Sequence, residues 1–74
     1  MTYLEAILRI KQAFPKMYII GISLEKDGYF FRLSDTNDRD RIPKSCSGYL
    51  LNKKTKEIRE CYFDMKDGTI KYYD

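Results

Sequence analysis

Residues 16–33 read KMYIIGISLEKDGYFFRL, and this stretch decides the fold. Tyr18, Ile20, Ile22 and Leu24 alternate on one side of a first extended run, and Tyr29, Phe31 and Leu33 do the same on a second. Alternation at every second residue marks a strand with one buried face, and the Asp27-Gly28 pair between the runs suits a tight reversal. The stretch predicts an antiparallel hairpin. Gly21 falls inside the first strand, where it marks a twist or bulge, or a point at which a helix or a neighbouring chain approaches closely.

Upstream, Thr2 precedes Glu5 by three residues, the spacing of a capping box. Tyr3, Ile7, Ile10 and Phe14 then recur at three and four residues, with Leu4 and Leu8 broadening the stripe, until Pro15 disfavours further helix. A helix over about residues 3 to 13 is expected to bury that stripe against the hairpin. Downstream, SGYLLNKKTKEIRECYF holds two more extended runs joined through NKKTKE. Leu51 and Ile58 share a face with Tyr49, and the alternation then shifts toward Cys61 and Phe63, which suggests a bulge there. A second Asp-Gly turn leads to the run Thr69 to Tyr73, an edge strand or a partner-binding tail. The order implies a single α+β domain over residues 1–74: an N-terminal helix packed on a four- to five-stranded, mainly antiparallel sheet.

A chain of 74 residues hides only about 60% of the surface it exposes when unfolded, which favours a compact binding module or a dimer that shares part of its core. Its 14 basic and 11 acidic side chains give a net charge of +3, interspersed rather than massed on one face. Seven tyrosines and four phenylalanines suit both a small core and a protein interface. Cys46 and Cys61 lack the spacing of a metal knuckle, and there is no histidine to complete a zinc site. They read as two small buried or half-buried thiols, with a disulfide as the alternative. No apolar window approaches the roughly 18 residues of a membrane span, and the charged N-terminal stretch reads as no signal peptide, so a cytoplasmic protein without membrane association is expected.

The tract LSDTNDRDRIPKS, residues 33–45, invites a cation-loop reading. A calcium loop of EF-hand type fails here: counted from Asp35, Arg39, Asp40 and Cys46 occupy positions that require an oxygen ligand, glycine and glutamate. Asp38 and Asp40 would point the same way on an extended segment, but the neighbouring arginines suggest mutual neutralisation rather than acid–base chemistry. The tract reads as a solvated or protein-binding loop. A cysteine without a histidine has no usual activating base, and none of the four glycines belongs to a phosphate cradle. Neither an enzyme nor a cofactor is expected.

The segments GYFFRLSD, IPKS and GYLLNKKTKEI, beginning at Gly28, Ile42 and Gly48, resemble the small bacterial immunity proteins of the YrhB type from polymorphic toxin systems. In that family an N-terminal helix precedes an aromatic W-x-F strand, a polar loop and a G-x-x-x-V-x-K-x-T-G-x-V hairpin. Tyr29 and Phe31 stand at the aromatic strand, Gly48 and Leu51 on the next, Lys53 or Lys54 and Thr55 in the turn, and Ile58 at the return. The resemblance covers about residues 3 to 60. No tryptophan is present, and Lys56 stands where the family has glycine. The resemblance implies a protein that neutralises a toxin or enzyme by binding it, without catalysis.

The leading expectation is therefore a non-catalytic protein-binding module of immunity or inhibitor type. Phe30 and Arg32, on the sheet face away from the helix, would join Asp35, Asp38, Arg39, Asp40 and Arg41 as its contacts, with Phe30 as an exposed anchor. A second reading is a nucleic-acid-binding domain using Lys44, Lys53, Lys54 and Lys56. A third is a structural or dimerisation protein of phage or bacterial origin, a homodimer among its forms.

Overall fold

The computed structural model describes residues 1–42 and 46–73. Helix α1 (Tyr3–Ala13) starts where the Thr2 hydroxyl accepts the Glu5 amide at 3.2 Å, and Glu5 in its first turn and Lys11 in its last complement the helix dipole. Five strands follow: β1 (Tyr18–Leu24), β2 (Gly28–Ser34), β3 (Ser47–Asn52), β4 (Ile58–Asp64) and β5 (Thr69–Tyr72). They form one antiparallel sheet in chain order, so β1 and β5 are its edges. The architecture is α+β. No helix among the described residues is long and apolar enough to cross a membrane.

On one face of the sheet, Ala6 and Ile10 press on Tyr29, Phe31 and Leu51, with Ile7, Phe14, Ile19, Leu33 and Ile58 around the margin. The Tyr29 hydroxyl donates to the Met1 carbonyl at 3.0 Å, and the rings of Tyr3 and Tyr29 lie 4.9 Å apart. The helix stripe is narrower than its sequence suggests. Its buried face centres on Ala6 and Ile10, which turns Leu4 and Leu8 away from the sheet at 67% and 52% exposure.

Strand β1 also departs from simple alternation. Ile19 faces Leu33, Ile22 faces Phe31 and Leu24 faces Tyr29, while Ile20 has no partner and forms a bulge before Gly21. The extra residue reverses the alternation, so Ile19, Ile22 and Leu24 share the helix side in place of the set Tyr18, Ile20, Ile22 and Leu24. The bulge expected near Cys61 is absent. Pairs from Ser47–Tyr62 to Leu51–Ile58 keep one unbroken register, and Cys61 simply occupies the opposite face from Ile58.

That opposite face has a core of its own. Phe30, Leu50 and Cys61 are buried there, with Ile70 and Tyr72 packed against them and the Arg59 guanidinium 4.0 Å from the centre of the Tyr72 ring. Phe30 is therefore not the exposed anchor its place on the strand suggested; it is 5% exposed. The cause is Gly48. A Cβ at that position would lie 2.8 Å from two atoms of the Phe30 ring, so the ring lies down over the glycine instead of standing off the sheet.

In the β3–β4 turn the Asn52 side chain accepts the amides of Lys54 and Thr55 at 2.8 and 3.0 Å, and the Asn52 carbonyl accepts that of Lys56. Closing the turn drives Lys56 to φ 63°, a left-handed conformation that L side chains resist by about 1–2 kcal/mol.

Two outcomes are expected. Lys56→Gly relieves the left-handed backbone and, after the entropy that glycine adds to the unfolded chain, should stabilise by about 0.5–1 kcal/mol, raising the unfolding midpoint by roughly 2–8 °C. A lower midpoint in a thermal melt would contradict the strain. Gly48→Ala places a methyl 2.2 Å from the Phe31 carbonyl oxygen as well as against the Phe30 ring, and should cost about 2 kcal/mol or more in urea titration.

Candidate functional site

The sheet face that α1 leaves open carries a groove of 510 Å³. Its lining is mainly apolar and comes from four parts of the chain. β1 contributes Gly21, Ile22 and Ser23, β2 contributes Phe30 and Arg32, β4 contributes Phe63, and Glu25 and Cys46 complete it. Strand geometry explains the company these residues keep. Gly21 pairs with Arg32 and Ser23 with Phe30, so all four point to one face, and Phe63 follows two residues after Cys61 on the same face. Gly21 has no side chain to fill the space. The Ser23 hydroxyl is 2.6 Å from Glu25 Oε1, which holds that carboxylate beside the groove.

The structure brings together some of the expected site residues and separates others. Phe30 and Arg32 meet in the groove, the aromatic ring buried and the guanidinium partly exposed. None of Asp35, Asp38, Arg39, Asp40 and Arg41 lines it. Their loop is instead held by short-range bonds: Ser34 Oγ accepts the Thr36 amide, Thr36 Oγ1 the Asp38 amide, and Asp38 Oδ1 the Asp40 amide, each at 3.1 Å. Asp38 also lies 3.8 Å from Arg41, an exposed pair of the kind that contributes little. Arg39 belongs to a different hollow, between α1 and β1, which it lines with Lys11, Ile7 and Ile22. Lys53, Lys54 and Lys56 fall in or beside the one β3–β4 turn, Lys53 Nζ 5.3 Å from the centre of the Tyr29 ring. Lys44 lies outside the described residues. Among the described residues no three Cys, Asp or Glu side chains converge as a metal site would require.

The sequence reading missed Gly21, Ile22, Ser23, Glu25, Cys46 and Phe63 as groove residues. Ser23 and Phe63 were within reach, because counting by twos from Phe30 across to its partners gives one and from Cys61 the other. Cys46 and Glu25 lie outside strands, where no periodicity speaks. The two thiols are free and unlike each other: Cys46 is exposed at the groove, and Cys61 is buried. Burial pushes the Cys61 thiol up to about 11, against the smaller opposing effect of a hydrogen bond with the Leu50 backbone. The structure holds the two as separate thiols rather than the alternative disulfide, and Cys46 is more open than a half-buried thiol.

Chemically, the groove offers an apolar floor with a guanidinium and a carboxylate nearby. It suits an apolar side chain flanked by polar neighbours. Compared with known proteins, the chain matches no family model, no curated protein and no solved structure.

Thiolate is the reactive form, so the two cysteines should differ sharply toward a maleimide. At pH 7.5 the folded protein is expected to take up one equivalent, at Cys46, and a second only on unfolding. Mass spectrometry finding Cys61 labelled at the native rate of Cys46 would overturn the burial argument.

Proposed function

We propose that the protein is a non-catalytic protein-binding module of the inhibitor or immunity type, acting in the bacterial cytoplasm, and that its partner docks on the open sheet face. The observation that carries this reading is the apolar groove floored by Phe30. With its ring lying over Gly48, Phe30 offers a floor rather than a knob, so the partner supplies the anchoring side chain. Arg32 and Glu25 beside the groove then select for polar groups around that anchor. The charged loop from Asp35 to Arg41 stands apart from the groove and suits steering of the encounter. One detail supports the immunity-protein resemblance: Lys56, where that family has glycine, adopts the left-handed backbone that glycine favours.

A nucleic-acid reading has its own support in Lys53, Lys54 and Lys56 sharing one turn. It calls for binding that falls steeply with salt, whereas a groove contact built on apolar burial does not.

Cys46 supplies the test, since a maleimide on its exposed thiol puts bulk into the groove while Cys61 is spared. A protein captured from nuclease-treated lysate by the tagged wild type should be lost at least about tenfold, or about 1.4 kcal/mol, after alkylation. It should still be captured by Cys46→Ser exposed to the same reagent. Capture indifferent to alkylation would move the interface off the groove, and recovery of nucleic acid that disappears with nuclease would move the function to the lysine turn.

A further inference from the structure

The open face of β3 and β4 sets the two thiols at neighbouring positions. Gly48 pairs with Cys61 and Ser47 with Tyr62. The register runs on one residue before the start of β3, where the Phe63 amide donates to the Cys46 carbonyl at 2.9 Å. Cys46 and Phe63 both line the groove, so they share the face that holds Cys61. Side chains two residues apart on a strand point the same way, which makes Cys46, Gly48, Cys61 and Phe63 the corners of one square. The cysteines stand on its diagonal.

Diagonal neighbours on antiparallel strands have Cα atoms about 7–8 Å apart, with Cβ atoms closer. A disulfide takes Cα separations up to about 6.8 Å, so the shortfall is on the order of 1 Å. Gly48 puts no side chain at its corner of the square. Cys46 is exposed and precedes β3, so a small shift of its backbone leaves the β3–β4 pairs from Ser47 onward in place. The Cys61 thiol is hydrogen-bonded with the Leu50 backbone, on the side of Gly48 away from Cys46. Rotation about its Cα–Cβ bond turns the sulfur toward Cys46.

From this register we propose that Cys46 and Cys61 are a reversible dithiol–disulfide pair, with Cys46 the attacking thiol and Cys61 the resolving one. Their unlike burial assigns the order. The Cys46 thiolate attacks one sulfur of oxidised glutathione, forms a mixed disulfide and expels a glutathione thiolate, which takes up a proton from water. Cys61 then gives its proton to water and attacks the Cys46 sulfur, so that the Cys46–Cys61 bond forms and the second glutathione leaves. Two protein thiols are oxidised and one disulfide is reduced to two thiols. The Phe30 ring, lying over Gly48, helps to screen Cys61 from dissolved reagents, but it does not screen it from a sulfur carried by the neighbouring residue. The bond draws Cys46 from the groove wall toward Gly48. It rests on the strand register and not on the proposed function.

The test is a time course of the folded, reduced protein in millimolar oxidised glutathione, quenched in acid, digested without reductant and read by mass spectrometry. A glutathione adduct on Cys46 should rise first and then decay into a peptide pair joining Cys46 to Cys61, in a chain two hydrogens lighter than the reduced one. Dithiothreitol should restore the starting mass. Cys61→Ala should stop at the Cys46 adduct, and Cys46→Ser should stay reduced. The linked chain should keep the circular dichroism spectrum of the reduced one. A wild type that stops at the Cys46 adduct overturns the proposal, whether or not Cys61→Ala folds. So does a Cys46 link between two chains in place of the internal bond, or a linked chain whose spectrum is lost, since that bond belongs to unfolded protein. None of these outcomes depends on capture of a partner at the groove, so the two readings fail separately.

Discussion

Consecutive aromatic residues in a strand cannot share a face, and Tyr29, Phe30 and Phe31 of β2 oblige the sheet to be apolar on both sides. The described residues hold one helix to offer. Phe31 and Tyr29 take it, together with Leu51, and Phe30 is left with strands alone. The solution is lateral: the ring lies over Gly48, Leu50 and Cys61 fill in beside it, and Ile70 and Tyr72 lean in from the last strand. The second core therefore depends on a missing side chain as much as on those present. It is also why β5, with four residues, matters to a strand three places away.

The same economy leaves the open face concave. A helix on each side would have closed it, whereas side chains drawn sideways leave a hollow where glycine and serine stand on β1. Groove and second core are two results of one packing problem. Arg59 against Tyr72 and Lys71 between two aspartates then secure the far edge, while β1 keeps an apolar, uncharged rim. The molecule has a finished edge and an unfinished one.

Much of this was legible in the residues. Thr2 and Pro15 bound the helix, the Asp-Gly pairs locate two of the reversals, and alternation places Tyr29, Phe31 and Leu33 beneath the helix. Three features were not. The bulge at Ile20 inverts which residues of β1 face the helix, and the unbroken run of apolar or glycine residues from Met17 to Ile22 holds no polar residue by which to read it. Phe30 was expected to be exposed because parity assigns a face but not a rotamer, and its cover comes from residues up to 42 positions away in sequence, as with Tyr72. The acidic loop looked like part of the same site as Phe30. Asp38, with Ser34 and Thr36, instead caps the loop's own backbone turns, a use that the spacing D-x-D permits as readily as contact with a partner.

The strand order, identical to the chain order, has a kinetic consequence. Each strand pairs only with its immediate neighbours, so assembly proceeds by successive short closures, apart from the excursion between β2 and β3. Low contact order of this kind goes with rapid folding for a sheet protein. It also sets a direction for coming apart. β5 closes the second core yet pairs its backbone with β4 alone, so opening at the C-terminus exposes Cys61 and Phe30 while α1, β2 and β3 stay joined through Phe31. The buried thiol is thus a clock for the fraying of one end, running ahead of global unfolding.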